Sequence, residues 1–483
     1  MAYKDLQHYI DALESRQEMK RISAQVDPVL EITEIADRMV KTGGPALLFE
    51  NVSGSPFPVA INLFGTLDRV CFALGVASPD EIAERISAMI PATSSSFSSL
   101  TDKVKLLWQL KDLKNVQPKI VRSGSSQEIV QTEPKLLDVP VLKCWPQDAG
   151  RFITLPLVVT RNPETGQQNI GMYRIQVVDD RRALMHWHVH HDGASHHRLC
   201  QKKGTDMEVA VVLGCDPATI YAATAPLPPG VDEILFSSFL RNSPVEMLRA
   251  KTVDLMVPAH AEFVLEGTVS ATETQLEGPF GDHTGFYSDA DQYPVFNLTA
   301  ITRKKNPVYP ATIVGRPPME DFYLGKLTER IFLPLIQLQL PEIVDIHFPC
   351  EGVFHNCVLV SVKKQYPGQA RKVAASIWGM GQMMFTKTIV VVDDDVDVQN
   401  CSETAWKVFS SIDPERDIFF TKGPLDVLDH ASPIPVFGSK VGIDATRKSG
   451  AEGHPRTWPD EIKMDNKTKE RVTARWQDYG FAK

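Results

Sequence analysis

The sequence predicts a multi-domain α/β protein, and three observations lead to this class. The chain has 483 residues, which is more than one hydrophobic core usually fills, so roughly two or three domains are expected. Helix-type and strand-type hydrophobic patterns alternate at both ends of the chain, which is typical of α/β units. Residues 150–315 carry mostly strand-type runs separated by turn residues, and such a middle predicts a mostly antiparallel barrel or sandwich.

The N-terminal part is predicted to begin with two helices. Apolar residues recur at helical spacing over residues 5–18, which predicts an amphipathic helix. Asp27 and Pro28 have the residue types of an N-cap and a first helical position, so a second helix is predicted to begin there. The serine-rich segment 91–99 has the composition of a linker. The other predicted elements are strands over 46–50 and 59–64 and helices over 80–90 and 102–113.

Strands dominate the predicted middle of the chain, and alternation returns after it. The middle strands are predicted over 153–160, 169–178, 183–190, 207–213, 261–269, 295–301 and 308–314, with helices over 192–203 and 231–241. The last part is predicted to contain helices over 322–339, 367–384, 402–411 and 467–479 and strands over 342–348, 356–363 and 388–393. The predicted domain limits are 1–120, 121–318 and 319–483.

Charge and composition exclude several classes of partner. The chain has 51 Lys and Arg against 60 Asp and Glu, a net charge of −9, so we expect neither a nucleic-acid partner nor attraction to anionic lipid. It has no apolar run of the ~18 residues that a membrane span needs, and no signal-like start. Its seven cysteines form no C-x-x-C pair, which predicts a cytoplasmic protein with reduced thiols. Any anionic ligand must be held by a few local cations or a metal.

The segment 276–285, Leu-Glu-Gly-Pro-Phe-Gly-Asp-His-Thr-Gly, contains the most conspicuous candidate residues. Its glycines and proline predict a rigid turn, on which Glu277 and Asp282 can face one cavity. Two carboxylates placed together raise the pKa of one of them, so that it can serve as an acid near neutrality. The alternative is a structural turn in which both carboxylates cap backbone amides.

Arg174 lies in the predicted strand 169–178, where alternation places it on the same side as Ile170 and Met172. An arginine among apolar residues needs a carboxylate or phosphate partner. The alternative is an arginine whose long side chain reaches solvent at the rim of the sheet.

Six of the 13 histidines lie between residues 185 and 197. His186, His188 and His190 alternate along a predicted strand and therefore face one way. This pattern is compatible with an all-histidine zinc site, with one histidine ligand in a mixed oxygen and nitrogen site, or with histidines that are only solvated or hydrogen-bonded. The sequence motifs of dinucleotide dehydrogenases, P-loop NTPases, serine hydrolases and zincins do not occur, so those classes lose their main support.

Taken together, several segments resemble the UbiD family of decarboxylases over nearly the whole chain. The matching segments are 30–37, 44–50, 62–65, 169–174, 276–285, 315–318, 363–368 and 438–446. The resemblance implies a central split β-barrel that binds a flavin, flanked by N-terminal and C-terminal α/β domains. It also implies a homo-oligomer, a dimer or a hexamer, formed through the C-terminal domain.

The same resemblance implies a prenylated FMN cofactor whose phosphate is bound through Mn²⁺ or Mg²⁺, with K⁺ nearby. The metal ligands that it implies are Asn169, His190 and Glu233, with His188 and His191 as alternatives to His190. The implied cofactor contacts are Met172, Tyr173, Arg174, His186, Trp187, His188, His191, Asp192 and Lys440. The family often carries other residue types at 186–188 and 191–192, so this chain departs from the pattern there.

The catalytic residues implied by the resemblance are Arg174, Glu277 and Asp282. Arg174 is expected to hold the substrate carboxylate and to pair with Glu277. Asp282, or Glu277 through it, is expected to donate the proton that replaces CO₂, with a raised pKa. Asp282 stands where the members of the family that act on acrylic acids have glutamate, and it resembles the branch that acts on hydroxylated aromatic acids.

The implied function is decarboxylation of a hydroxyaromatic acid such as 4-hydroxy-3-polyprenylbenzoate in ubiquinone synthesis. Alternatives are a dihydroxynaphthoate of menaquinone synthesis, a small phenolic acid in either direction, and, in a different class, a plain FMN reductase. A flavin prenyltransferase is the implied partner that supplies the cofactor. A polyprenyl substrate would also require an encounter at the membrane surface, for which the chain offers no basic amphipathic helix.

Overall fold

The computed structural model describes residues 2–89, 116–188, 191–227, 231–354 and 356–481, and in them it confirms the α/β class. The linker and the helix predicted over 91–99 and 102–113 lie outside the described residues. The helices are α1 Leu6–Ser15, α2 Glu31–Lys41, α3 Leu67–Leu74, α4 Asp80–Met89, α5 Asp192–Lys203, α6 Pro217–Ala222, α7 Glu233–Leu240, α8 Glu320–Gln339, α9 Gln369–Trp378, α10 Cys401–Ser411, α11 Pro414–Asp417 and α12 Asn466–Ala474.

The strands form four sheets in the described part of the chain. They are β1 Met19–Val26, β2 Ala46–Val52, β3 Val59–Ile61, β4 Lys119–Ile120, β5 Ile129–Gln131, β6 Phe152–Ile153, β7 Leu157–Arg161, β8 Gln168–Gly171, β9 Ile175–Val177, β10 Arg182–Met185, β11 Met207–Leu213, β12 Glu246–Arg249, β13 Met256–Pro258, β14 Phe263–Glu277, β15 Asp291–Arg303, β16 Tyr309–Pro310, β17 Ile343–His347, β18 Cys357–Val362, β19 Thr388–Asp393, β20 Ile418–Pro424 and β21 Phe437–Asp444.

The N-terminal sheet has the order β1-β2-β3-β16 and includes a strand from the end of the central region. α1 begins after Asp5, whose carboxylate accepts a hydrogen bond from the His8 backbone nitrogen at 2.9 Å, as expected for an N-cap. The second helix begins at Glu31 and not at Pro28, because Leu30 has a left-handed φ of 67° that interrupts it. β16 pairs with β3 in parallel, so a strand from the end of the central region completes the N-terminal sheet.

The central sheet has nine strands, with β6-β9-β10-β15-β14-β11-β7-β8 in order and β5 on β15. β9 and β8 are six positions apart in this order, which is about 29 Å in a flat sheet. Residues 172–174 alone connect these two strands, and four residue steps span at most about 14 Å. The sheet must therefore curl until β8 and β9 approach each other, as a split barrel of the kind that the resemblance implies would require.

The C-terminal sheet has the order β17-β18-β19-β21-β20 and its own apolar core. Three of its strands, β18, β19 and β21, are parallel, as helix–strand alternation predicts. The helix predicted over 367–384 ends earlier, at Trp378, because Gly379 and Gly381 interrupt it before a short 3₁₀ turn. At the start of α8, Glu320 accepts backbone hydrogen bonds from Asn62 and Phe64 at 3.2 and 2.8 Å, which ties this helix to the N-terminal unit.

None of the helices in the described residues has the length and apolar character that crossing a membrane requires.

Candidate active site

The connection between β8 and β9 positions the first candidate residues. The strand predicted over 169–178 is broken at residues 172–174, so Arg174 lies in the connection and not within a strand. A Cβ added at Gly171 would lie 2.1 Å from the Tyr173 hydroxyl oxygen, so the tight turn requires glycine. The Met172 backbone nitrogen donates to the Ala223 carbonyl oxygen at 3.1 Å, which holds the connection against α6.

Arg174, Glu277 and Asp282, which we call the arginine cluster, converge at this connection. Arg174 Nε and Nη2 donate to the two carboxylate oxygens of Glu277 at 2.8 and 3.0 Å, a bidentate pair. Its Nη1 donates to Asp282, and Nη2 also donates to Ser288 Oγ at 3.1 Å. The guanidinium carbon lies 4.7 Å from the centre of the Phe280 ring. The Glu277 side chain is fully buried and that of Arg174 is 8% exposed, so these charges interact out of bulk water.

The turn after β14 is shaped to bring Asp282 to Arg174. A Cβ at Gly281 would lie 2.2 Å from Trp145 Cδ1, so the indole packs directly on the backbone of the turn. Asp148 accepts hydrogen bonds from the backbone nitrogens of Gly281 at 2.8 Å and of Trp145 at 2.8 Å. Gly281 is therefore required by close packing against Trp145, and this packing fixes the position of the Asp282 carboxylate.

The electrostatics of the arginine cluster correct one expectation. Burial alone would raise the pKa of both carboxyl groups, but hydrogen bonds and cationic charges outweigh it. Hydrogen bonds with His186 and Arg174 lower the pKa of Glu277, and the hydrogen bond with His283 and the charges of His283 and Arg174 hold the pKa of Asp282 well below its usual range. The expectation that Asp282 has a raised pKa is therefore wrong, since His283 binds this carboxylate and Arg174 lies between it and Glu277.

His186 joins the arginine cluster from the segment after β10. Its Nδ1 lies 3.1 Å from Glu277 Oε2, and its Nε2 lies 3.0 Å from His188 Nε2. Burial lowers the pKa of His186, so its ring is neutral near pH 7. Because Glu277 is ionised and can only accept, the His186 proton lies on Nδ1 and His188 donates to Nε2.

A second group of polar side chains, Asn169, Asp192 and Glu233, lies at the other end of the connection; we call it the oxygen cluster. The Asn169 amide nitrogen donates to Glu233 Oε1 at 3.1 Å and to Asp192 Oδ2 at 3.2 Å, and the amide oxygen accepts from the Ile170 backbone nitrogen at 3.2 Å. Glu233 Oε2 accepts a hydrogen bond from the Ile170 backbone nitrogen at 3.1 Å. Burial, with the nearby charges of Asp232 and Asp192, raises the pKa of Glu233 to about 8, because this cluster has no cation of its own.

The donor set of the oxygen cluster fits a divalent cation. With the amide oxygen turned inward, two carboxylates and one amide present three oxygen ligands, which Mg²⁺ and Mn²⁺ favour. A cation there would also remove the desolvation cost that raises the pKa of Glu233. Among the described residues no three His, Cys, Asp or Glu side chains form a metal site by themselves. His190, the predicted nitrogen ligand, lies outside the described residues.

A row of aromatic rings connects the two clusters. The His188 and His191 rings stack with centres 5.0 Å apart, and the His191 and Tyr173 ring centres are 4.9 Å apart. Trp187 is 7% exposed, and its indole nitrogen has no hydrogen-bond partner in the described part of the chain. A buried donor without a partner is costly, so Trp187, whose ring centre lies 6.5 Å from that of Tyr173 in the row, fits a ligand that accepts a hydrogen bond.

One predicted cofactor contact lies away from both clusters, and three residues beside the arginine cluster were not predicted. Lys440 lies in β21, where burial lowers its pKa to about 8, and its ammonium donates to the carbonyl oxygens of Met384 and Thr386, so the structure does not bring it to either cluster. The sequence reasoning did not single out His283 or Ser288, although His283 directly follows Asp282 and adjacency could have indicated it. Ser288 and Tyr293, whose ring stacks on His186 with centres 4.3 Å apart, carry no such signal, since only folding brings them near.

Comparison with known proteins places this site in a family. Sequence models of the N-terminal, Rift-related central and C-terminal domains of 3-octaprenyl-4-hydroxybenzoate carboxy-lyase match residues 10–90, 119–317 and 322–445. An uncharacterized protein of Archaeoglobus fulgidus is 50% identical over 480 residues, which cover 99% of each chain.

Solved structures agree with the sequence matches. Vanillic acid decarboxylase of Sedimentibacter hydroxybenzoicus in its closed form has a TM-score of 0.86 and 26% identity over 99% of each chain. The UbiD-class enzyme HmfF of Pelotomaculum thermopropionicum, in complex with FMN, has a TM-score of 0.81 and 26% identity over 97% of this chain and 99% of that one. An evolved dimeric form of HmfF was solved with prenylated FMN, at a TM-score of 0.79 and 26% identity over 96% and 98% of the two chains. Since three domain models and a half-identical relative together span the chain, it belongs to the UbiD family of carboxy-lyases.

Proposed function

We propose that this protein is a prenylated-FMN-dependent decarboxylase of a hydroxyaromatic carboxylic acid. The observation that carries the proposal is the buried arginine cluster, in which one guanidinium is held by Glu277 and Asp282. These two ion pairs fix the position and orientation of the guanidinium, so it is preorganised to bind a carboxylate. Family membership and the flavin-containing neighbours support the same reading.

The residues that would hold the cofactor lie along the row between the two clusters. Asn169 and Glu233, with His190, would hold a divalent metal, for which we propose Mn²⁺ or Mg²⁺ with K⁺ nearby, and the metal would bind the phosphate. Trp187 offers its unpartnered indole N–H, and Met172, Tyr173, His186, His188, His191 and Asp192 surround the row. When bound, the prenylated flavin supplies an electron sink for the pair of electrons left by CO₂.

The chain's own residues orient the substrate and manage protons. Arg174 would turn one edge of its guanidinium to the substrate carboxylate while Glu277 keeps the other edge fixed. Phe280, packed against the guanidinium, excludes water from one face. Since Glu277 and Asp282 rest as carboxylates, a proton must reach one of them before it can be passed to the ring carbon.

For the substrate we propose 4-hydroxy-3-polyprenylbenzoate, in ubiquinone synthesis, because the matching domain models carry that enzyme's description. A small phenolic acid is the second candidate, because vanillic acid decarboxylase is similar along nearly the whole chain.

A flavin prenyltransferase is the proposed supplier of the cofactor, and the polyprenyl substrate would be met at a membrane surface. Phe409 and Phe420 are 83% and 76% exposed in the C-terminal unit, which supports a homo-oligomer formed through that unit. The proposed location is cytoplasmic.

The test is CO₂ release by protein produced together with a flavin prenyltransferase. A panel should contain 4-hydroxy-3-prenylbenzoates of increasing chain length, vanillic acid, dihydroxybenzoic acids and a dihydroxynaphthoate. We expect release from at least one hydroxyaromatic acid and none from protein that carries only FMN. A purified protein whose ordinary flavin is reducible, and which releases no CO₂ from any acid, would overturn the proposal and favour an FMN reductase.

A further inference from the structure

His283 is bound to the outer side of the arginine cluster. Its Nδ1 lies 3.0 Å from Asp282 Oδ1, and its backbone nitrogen donates to the same oxygen at 2.7 Å. The His283 side chain is 20% exposed, whereas that of Glu277 is fully buried. Of the groups bonded to the two carboxylates, His283 is thus well placed to exchange a proton with solvent.

Acidic groups surround the His283 ring. Asp282 contacts it from its own turn, Asp321 acts on it from the start of α8, and Asp426 acts on it from the segment after β20; Arg174 lies beyond Asp282. Burial favours the neutral ring, but the hydrogen bond to Asp282 and the charges of the three carboxylates raise the pKa of His283 to about 9. The ring is therefore an imidazolium at neutral pH, with Nδ1–H directed at Asp282.

The two carboxylates of the arginine cluster differ in this respect. Glu277 accepts from His186, whose ring is neutral because burial lowers its pKa. A neutral imidazole that donates its one proton has none to give up readily. Asp282 accepts from a charged and partly exposed imidazolium, so a proton is available beside Asp282 and not beside Glu277.

We propose that His283 supplies, through Asp282, the proton that replaces CO₂ on the substrate. This inference rests on the proposed decarboxylase function and adds a residue to it. His283 does not touch the reacting carbon. It acts through Asp282, and it is therefore a positioning residue. Arg174 shares its donors with the substrate carboxylate, which weakens its hold on Asp282 and makes that carboxylate a better proton acceptor.

The step balances in atoms and charge. The bond between the ring carbon and the carboxylate carbon breaks, CO₂ leaves, and the electron pair remains for the ring carbon. A C–H bond forms with a proton from Asp282, which has received it from His283 Nδ1, and the neutral imidazole regains a proton from water. Overall, one carboxylate and one proton give one neutral product and CO₂.

The test combines two measurements, of which the first does not depend on activity. Histidine-labelled protein without cofactor is titrated by NMR, with the His283 resonance assigned by its loss in His283→Asn. We expect a midpoint near pH 9 that falls by at least one pH unit in Asp282→Asn. A wild-type midpoint at or below pH 7 would overturn the inference whether or not the protein releases CO₂.

The second measurement is the pH dependence of CO₂ release by loaded enzyme. Asparagine keeps a donor at the position of Nδ1 but does not titrate, so we expect His283→Asn to lower kcat about 100-fold with KM unchanged. The wild-type kcat should fall above about pH 9, and this fall should be absent from the variant. Added imidazole should restore part of the kcat of His283→Ala.

Two results separate failure of the inference from failure of the proposed function. Normal kcat with an unchanged pH profile in His283→Asn would overturn the inference while the decarboxylase function stands. A wild-type enzyme that releases no CO₂ would overturn the proposed function itself. His430→Asn is the matched control, because His430 is exposed and packs on Phe286 with ring centres 4.1 Å apart; it should behave as wild type.

Discussion

The two clusters at the ends of the connection between β8 and β9 contain similar groups in opposite electrostatic states. The arginine cluster holds two carboxylates around a guanidinium, and the pKa values of both carboxyl groups are lowered. The oxygen cluster holds two carboxylates and an amide, and the pKa of Glu233 is raised to about 8. The protein supplies the cation at one end, and we propose that a bound metal supplies it at the other.

The largest effect is expected from removing the cation of the arginine cluster. Arg174→Met removes the cation shared by two buried carboxylates and leaves them only their histidine partners, which should lower the free energy of unfolding by about 3–5 kcal/mol. It also removes the carboxylate-binding group, so CO₂ release should fall by about 1,000-fold or more. Chemical denaturation and CO₂ release measure the two effects. The control is Arg182→Ala, which removes a solvent-exposed ion pair with Asp179. An Arg174→Met variant as stable as wild type would contradict the view that Arg174 neutralises the arginine cluster.

A smaller loss is expected from neutralising the fully buried carboxylate. Glu277→Gln keeps the shape but weakens the bidentate pair with Arg174, so kcat should fall about 100-fold while the protein stays folded. Steady-state CO₂ release and circular dichroism check this expectation. Glu273→Gln, on the exposed part of β14, should retain full activity. An active Glu277→Gln enzyme would show that the arginine cluster is structural.

The third prediction concerns the oxygen cluster and has a defined sign with pH. In metal-free protein Glu233 has a folded-state pKa of about 8, above that of an unfolded glutamate. The folded state therefore binds more protons, and stability falls as pH rises from about 4.5 to 8. Glu233→Gln removes this loss, so the metal-free variant should unfold at higher temperature than wild type at pH 8, with little difference at pH 5.

Mn²⁺ should reverse that order. The metal would neutralise the oxygen cluster of the wild type, raising its unfolding temperature by mass action. We expect Glu233→Gln to bind Mn²⁺ at least tenfold more weakly by calorimetry, with Glu273→Gln again as the control. Equal Mn²⁺ affinity in the two proteins would remove Glu233 from the metal site.

The smallest effect is expected from Asp192→Asn. Asp192 raises the pKa of Glu233 through its charge, so the variant should have a less pH-sensitive metal-free form. Asparagine retains an oxygen ligand, and Mn²⁺ affinity should therefore change by less than about tenfold. Thermal unfolding against pH and calorimetry measure both quantities. A loss of affinity as large as that in Glu233→Gln would make Asp192 an equal ligand.

Residue types and local patterns were sufficient to predict the class and many elements, whereas the grouping of residues into the two clusters was implied by the family resemblance. The spacing of Leu6, Tyr9 and Ile10 predicts α1, which buries those side chains. The resemblance implied the combination of Arg174 with Glu277 and Asp282, which lie 103 and 108 residues after it in the chain. Local sequence carries the information on individual elements because turns, caps and hydrophobic periods involve near neighbours.

The tertiary structure alone decided how these groups are charged. Two adjacent carboxylates predict one raised pKa, but folding inserts Arg174 between them and places His186 and His283 on their outer sides. Likewise, the strand predicted over 169–178 is broken, because the curled sheet brings β8 and β9 together at a turn. Charge state and sheet closure depend on groups that are distant in sequence, and electrostatic energy depends on their separation and burial, which only the folded chain defines.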